Sequence, residues 1–455
     1  MQTAFSKEQL DQPEIAEADQ ILRTCVHYGF CTGTCPTYVL FRDENDSPRG
    51  RIDLIHEMLK KGGRPDPKTV HHLDRCLSCM SCMSTCAVKV DYIHLLDVAR
   101  DYIEKHFKRP LGDRLLRALL AGILPYPKRF SAALALAKVG QGLAKWLPGR
   151  LGGMLELAGS SSARPDLLKP QTFPAQGKRV MRVALLAGCA QQALDRNVNA
   201  ATIRVLQRHG CDVVVADGAG CCGALPLHMG FKDQAQRLAR ANVTAWGKLL
   251  NEGLDAVVVN ASGCGTTVKD YGHLIGTDEA NRIGSLCLDI TELLSRLDLR
   301  VIQKLPSYRV AYHDACSLQH GQKVTKPPRQ LLRKVGFTTI DVPEKHFCCG
   351  SAGTYNLLQP SVASVLGQRK ASHVDSVNAD IVAAGNLGCM VQLGRYAETP
   401  IVHTVELIDW ATGGPMPEAL AGRVMRKPAP VDEGDTAIAF ATSPGGSKSD
   451  DPVVW

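Results

Sequence analysis

The stretch RCLSCMSCMSTC, Arg75 to Cys86, limits what this chain can fold into more than any other: it sets thiols at Cys76, Cys79, Cys82 and Cys86 in the spacing C-x2-C-x2-C-x3-C. Such a run wraps three thiolates round the corners of one iron-sulfur cubane and carries the fourth a turn further, where it ligates a neighbouring cluster. A second run is therefore required. TCVHYGFCTGTCP supplies it, with Cys25, Cys31 and Cys35 followed by Pro36. Crossed ligation assigns Cys76, Cys79, Cys82 and Cys35 to one cluster and Cys25, Cys31 and Cys86 to the other. The second position of the upstream run holds Tyr28 where a thiol is expected. Three outcomes are open there: a three-iron cluster that has lost a corner iron, a four-iron cluster completed by the Tyr28 phenolate or the His27 nitrogen, or a site that fails to assemble.

Seventeen cysteines would read as a disulfide framework in a small secreted protein, but the N-terminus MQTAFSKEQLDQPEIAEADQ is polar and acidic. It lacks the apolar core of a signal peptide, so the expected compartment is the reducing cytosol. No uncharged apolar run of about 18 residues occurs, and membrane contact is expected to be peripheral. The formal charge of +8 counts thiols as neutral, whereas cluster-bound cysteines are thiolates. Basic residues are scattered, only 5% of residues are aromatic, and no groove-reading motif appears, which excludes nucleic acid as the expected partner.

The segment before the first run places Ile15, Ala18, Ile21 and Leu22 at helical spacing, and GRIDLIHEMLKKGG between the runs is a helix with a basic last turn and a glycine stop. Tyr92, Leu95, Leu96, Val98, Ala99, Tyr102 and Ile103 form one broad apolar face after the second run. With no strand pattern between them, residues 1–105 are expected to be an all-helical ferredoxin domain with two clusters. Residues 106–158 read as a basic amphipathic connector, rich in Leu and Ala with interspersed Lys and Arg and with Trp146 near its end. Such helices lie on an anionic membrane surface, dock on a partner subunit or pack on their own protein. Residues 159–178 read as a linker, and 413–455 as a disordered tail.

The second half is duplicated. VALLAGCAQQ, 183–192, returns as VAYHDACSLQ, 310–319, and VLQRHG, 205–210, as LLRKVG, 331–336. Cys189 precedes the pair Cys221 and Cys222 by the interval at which Cys316 precedes Cys348 and Cys349, and each unit closes on a Gly-Cys step, at Cys264 and Cys389. Strands alternating with helices predict a parallel sheet in each unit, 179–304 and 305–412, with Cys189, Cys264, Cys316 and Cys389 at the carboxyl ends of strands, where open α/β sheets bind ligands. The fold class is therefore α+β multidomain, a helical two-cluster ferredoxin domain followed by a duplicated α/β cysteine-rich domain. Four thiols per unit suit an iron-sulfur cluster, with zinc or a purely structural cysteine set as alternatives. Cys211 and Cys287 fall outside both patterns and read as core thiols.

These motifs resemble the iron-sulfur subunits of bacterial glycolate oxidase (glycolate dehydrogenase), from about residue 10 to residue 412, through CVHYGFCTGTCPTY, SPRGRIDLIHEM, HLDRCLSCMSC, GCCGALPLHMG, ASGCG and HFCCGSAGTYNL. The wider family with the duplicated unit includes lactate-utilisation proteins and one component each of anaerobic glycerol-3-phosphate dehydrogenase and heterodisulfide reductase. The resemblance implies a ferredoxin domain like that of succinate dehydrogenase, and electron transfer from a partner FAD subunit that oxidises glycolate to membrane quinone. It implies no flavin on this chain, in agreement with the lack of a GxGxxG fingerprint after a predicted strand, and places the protein on the cytoplasmic face of the inner membrane. Three features depart from the family: Tyr28 for a cysteine, Ala87 for the proline after the fourth thiol, and a longer tail. A second reading, by resemblance to heterodisulfide reductase, makes one repeat a catalytic unit that reduces a disulfide, with His228, His313 or His320 as proton donors. An iron-sulfur component of a lactate or glycerol-3-phosphate dehydrogenase is a further alternative, and a zinc-stapled scaffold a third class.

Overall fold

The computed structural model describes residues 1–139, 168–303 and 305–422. Over 1–139 every regular element is helical. Helices Pro13–Thr24, Pro48–Lys61 and Tyr92–His106 enclose one core of Ala18, Leu22, Ile55, Leu59, Leu95, Leu96 and Ile103. The helix at Pro48 starts where its sequence says it should: the Ser47 hydroxyl accepts from the Gly50 N–H at 2.9 Å, and proline occupies its first turn.

Helices Leu111–Ile123 and Pro127–Val139 continue from this domain. The first is clamped back by Arg109, which pairs with Asp74 at 2.6 Å, and by Arg117, 3.2 Å from the same carboxylate. Its inner face, Leu116, Leu120 and Leu124, packs on Met229, Phe231, Leu357 and Leu358 of the second half. Its outer face leaves Leu111, Leu115 and Leu119 exposed at helical spacing. The remainder of the amphipathic connector, with Trp146, lies outside the described residues.

Two parallel sheets make the second half. The strands of the first are β1 (Gln171–Phe173), β2 (Met181–Leu185), β3 (Cys211–Val215), β4 (Ala256–Val259) and β5 (Cys287–Asp289), in the order β1-β3-β2-β4-β5. The second has β6 (Arg309–His313), β7 (Thr338–Asp341), β8 (Ile381–Ala384) and β9 (Ile401–His403), in the order β7-β6-β8-β9. Removing the antiparallel edge strand β1 leaves the same topology twice, with registers such as Val183↔Val213 and Ala184↔Val257 in one unit and Val310↔Thr339 and Tyr312↔Ala383 in the other. The strands are short, and β4 and β8 inside the sheets are wholly apolar and buried, as strands covered on both faces require, whereas the edge strands β1 and β7 are partly exposed. The units share a single core, in which Val183, Val258 and Leu293 meet Val310, Leu331, Val402 and Ile408.

Two boundaries differ from the sequence expectation. The linker expected over 159–178 contributes β1, and the tail expected from 413 first packs Leu420, 1% exposed, into the shared core. A three-residue strand and a single anchoring leucine are too short to show a period. The same reason hides β5 and β9 in the sequence. The tail from 423 onward lies outside the described residues.

Candidate metal centre

The two cysteine runs of the helical domain fold alike. Ser78 and Met80 take left-handed φ of 53° and 58°, and His27 and Gly29, at the same two places of the upstream run, take 57° and 83°. Each loop curls in this way to turn its thiols inward, leads into a short helix, Ser81–Thr85 or Phe30–Gly33, and places its last cysteine, Cys86 or Cys35, in extended backbone. One small cavity is lined by Cys35, Cys76, Cys79 and Cys82, together with Thr37, Arg51 and Tyr92. On the other side, burial and then the Cys25 thiolate push the Cys31 thiol up to about 11, with smaller effects from Cys86 and Cys35. The cavity therefore groups Cys35 with the downstream run.

Sequence reasoning missed the support beneath Cys35. Its thiol lies 3.3 Å from the Thr37 hydroxyl and 3.5 Å from the Asp46 carbonyl, and Arg51 Nη1 stands 3.8 Å away. The fully buried Asp46 carboxylate holds Arg51 at 3.2 Å, Arg75 at 2.8 Å and His72 at 3.1 Å. SPRGR is thus a structural device: its last arginine is the buried cation under the cluster site. On Cys76, the Tyr92 hydroxyl donates to the sulfur at 3.6 Å and Arg100 to the carbonyl oxygen at 2.8 Å. Donors aimed at cluster sulfurs stabilise negative charge and tune potential.

Tyr28 does not occupy the place of a ligand. Its side chain is 68% exposed and leans on Phe30, 66% exposed, with ring centroids 6.3 Å apart. The His27 ring turns to Asp53 at 3.7 Å. The loop backbone has kept the cluster-binding form while the side chain at its second position faces solvent.

In each α/β unit the cysteine pair is fixed by the glycine behind it. Gly223 and Gly350 have φ of 91° and 86°, and a Cβ there would come within 2.9 Å of the Ala235 carbonyl and 2.7 Å of the Ala363 carbonyl. Glycine alone meets both conditions. Backbone N–H groups then donate into the sulfurs: Gly223 to Cys221 at 3.4 Å, Ala224 to Cys222 at 3.5 Å and Gly350 to Cys348 at 3.4 Å. The thiols form a connected series, Cys189, Cys221, Cys222, Cys264 in the first unit and Cys316, Cys348, Cys349, Cys389 in the second, where the Cys316 and Cys348 sulfurs are 3.7 Å apart. Every cysteine is free. Their mutual contact and burial push the Cys189 and Cys316 thiols far up, so full ionisation of either set needs a compensating cation, which is what an iron centre supplies. The donor sets fit such a group. Cys211 and Cys287 open β3 and β5 and are buried, Cys211 in the core shared by the two units and Cys287 in the apolar cluster that also holds Cys222.

The helical domain and the second unit meet at their thiols. Leu77 and Cys79 share an apolar cluster with Cys348, Tyr355 and Cys316, and the Tyr355 hydroxyl donates to the Arg75 carbonyl at 3.0 Å. Beside this junction a cavity of ≈ 1020 Å³ is faced by Cys86, Cys189, Cys222, Cys264, Cys316 and Cys389 among others. His228 and His320 line it too. Burial, then Arg100, lowers His228 to about 4. His320 sits on a π-turn, Ser317–Gly321, with Nδ1 at 2.9 Å from the Ser84 hydroxyl and Nε2 at 3.0 Å from the His346 carbonyl. Both of its nitrogens are engaged, and it serves as a strut between the domains. His313 lies beneath, on β6.

Residues 21–90 match the 4Fe-4S dicluster domain family, and residues 183–269 and 310–394 each match the cysteine-rich CCG domain. A helical dicluster domain joined to two such units defines an iron-sulfur protein. Over 416 residues the chain is 41% identical to the glycolate oxidase iron-sulfur subunit of Escherichia coli (strain K12), covering 90% of this chain and 99% of that one. It is 31% identical to the probable glycolate oxidase iron-sulfur subunit of Bacillus subtilis (strain 168), over 90% of this chain and 96% of the relative. Lactate utilization protein A of Shouchella clausii (strain KSM-K16) is 25% identical over 48% of this chain and 92% of its own. The chain belongs to the family of glycolate oxidase iron-sulfur subunits. It carries iron-sulfur clusters and is one component of a multi-subunit oxidoreductase. No helix among the described residues is long and apolar enough to cross a membrane.

Proposed function

We propose that this chain carries electrons from a partner FAD subunit, which oxidises glycolate or a close 2-hydroxy acid, to membrane quinone. The observation that carries the reading is the contact of Cys79 with Cys348 and Cys316, which brings the dicluster domain and the second unit together through their ligands. Cysteines Cys25, Cys31 and Cys86 hold the outer cluster, a three-iron one because Tyr28 faces solvent. A four-iron cluster on Cys35, Cys76, Cys79 and Cys82 follows, and then the centre on Cys316, Cys348, Cys349 and Cys389. The first unit holds its own centre on Cys189, Cys221, Cys222 and Cys264. The exposed stripe of Leu111, Leu115 and Leu119, with basic residues on the same helices, is read as the face that rests on the cytoplasmic side of the inner membrane.

Cys79→Ser in the assembled complex tests the reading. Glycolate-dependent dye reduction by the flavin subunit should persist while quinone reduction is lost; unchanged quinone reduction would refute it. A second reading, in which the chain itself reduces a disulfide, draws on the cavity that faces thiols of both units. Disulfide turnover by the purified chain decides for that alternative.

A further inference from the structure

Every cysteine ligand of one repeat has its counterpart in the other, but one neighbouring donor does not. Setting VAYHDACSLQ on VALLAGCAQQ places His313 opposite Leu186. His313 ends β6 and is in register with Ala384, the last residue of β8. It therefore stands at the carboxyl edge between the strand that leads to Cys316 and the strand that leads to Cys389, the switch point where such sheets hold their ligands. A ring nitrogen of His313 and the sulfurs of Cys349 and Cys389 all lie within 4.8 Å of one another, and all three residues are buried. His313 Nε2 is buried and has no hydrogen-bond partner among the described residues. An unpaired buried polar atom is costly, and a group that accepts the nitrogen lone pair or its proton removes that cost. In the first unit the same place is filled by Leu186, packed in the apolar core.

We propose that His313 is a nitrogen ligand to the iron-sulfur centre of the second unit, so that the two repeats hold centres of unlike composition, all-thiolate in the first and thiolate plus imidazole in the second. The inference rests on the reading that the second unit binds a cluster through Cys316, Cys348, Cys349 and Cys389. A neutral imidazole donates to iron without adding the negative charge of a thiolate, and exchange of thiolate for histidine raises the potential of iron-sulfur centres. The second unit, which touches the dicluster domain at Cys79, is then the more easily reduced of the two, and electrons leaving the four-iron cluster settle there first.

The test is pulsed electron paramagnetic resonance on the iron-loaded full chain grown with 14N- or 15N-histidine, in whichever of the oxidised and dithionite-reduced states the second unit's centre is paramagnetic. The expected result is a coupling of directly bonded imidazole that changes with the isotope. It should survive in His27→Asn and His320→Asn and vanish in His313→Leu, which installs the residue of the first unit, with a fall in the midpoint potential of that centre. A spectrum indifferent to the isotope overturns the proposal without any variant. A histidine coupling that survives in His313→Leu overturns it as well. Iron content is measured in parallel in the double variant Cys316→Ser, Cys349→Ser: iron that does not fall there shows that the second unit holds no cluster and removes the underlying reading, whereas iron that falls, with no histidine coupling in the parent, refutes the ligand alone.

Discussion

Replacing Tyr28 by cysteine should convert the outer cluster from three irons to four. The backbone is already in place: His27 and Gly29 hold the left-handed conformations that Ser78 and Met80 hold around Cys79, so a thiol at position 28 is presented as Cys79 is. The substitution removes a ring that is 68% exposed, and a surface change of this kind shifts stability by no more than about 0.5 kcal/mol. Iron content should rise by about one atom per chain, since the missing corner ligand is a single thiolate. The oxidised protein should lose its paramagnetic signal at the same time, because a three-iron cluster is paramagnetic when oxidised and an ordinary four-iron cubane is not. Metal analysis and resonance spectra of oxidised parent and variant supply both readings. If the parent shows no oxidised signal and the variant gains no iron, the three-iron assignment fails.

Asp46→Asn should destabilise the helical domain by about 3–5 kcal/mol, since it leaves the buried Arg51 guanidinium without its carboxylate; denaturant unfolding within about 1 kcal/mol of the parent would contradict this. His403 caps helix Thr404–Ala411 as a neutral imidazole, accepting from the Val405 N–H at Nδ1 and donating from Nε2 to the Asn260 carbonyl. Burial lowers its pKa to about 4, against about 6.5 in the unfolded chain. Between pH 7 and pH 5 only the unfolded chain takes up this proton, so stability falls with acidification by about 2 kcal/mol, and His403→Gln should flatten that slope. Leu115→Glu with Leu119→Glu should release the complex from anionic vesicles, and unchanged vesicle binding would show that the exposed stripe does not face the membrane.

The dicluster domain and the duplicated units were legible because chemistry fixes the spacing of their cysteines: four thiols at short intervals and a cysteine pair with glycine behind it admit few other readings. The parallel sheets were legible from VALLA, DVVVA and AVVVN, which alternate with amphipathic helices. What escaped was carried by tertiary contact. Asp46 reads as one acidic residue in an acidic loop, and only the fold brings Arg51, Arg75 and His72 to it. The meeting of Cys79 with Cys348 joins residues far apart in the chain, and no local pattern announces it. His313 was visible as a histidine near a cysteine, but its reach to Cys349 and Cys389 depends on the register of β6 with β8.

The proposed function passes electrons through this chain on their way from glycolate to quinone. Its most direct test is to mix the complete complex with glycolate, freeze it within a turnover and follow the reduced clusters by electron paramagnetic resonance. Reduced-cluster signals should appear no more slowly than quinone is reduced and decay once excess quinone is supplied and glycolate is spent. Clusters that stay oxidised while quinone is reduced at the full rate would contradict it.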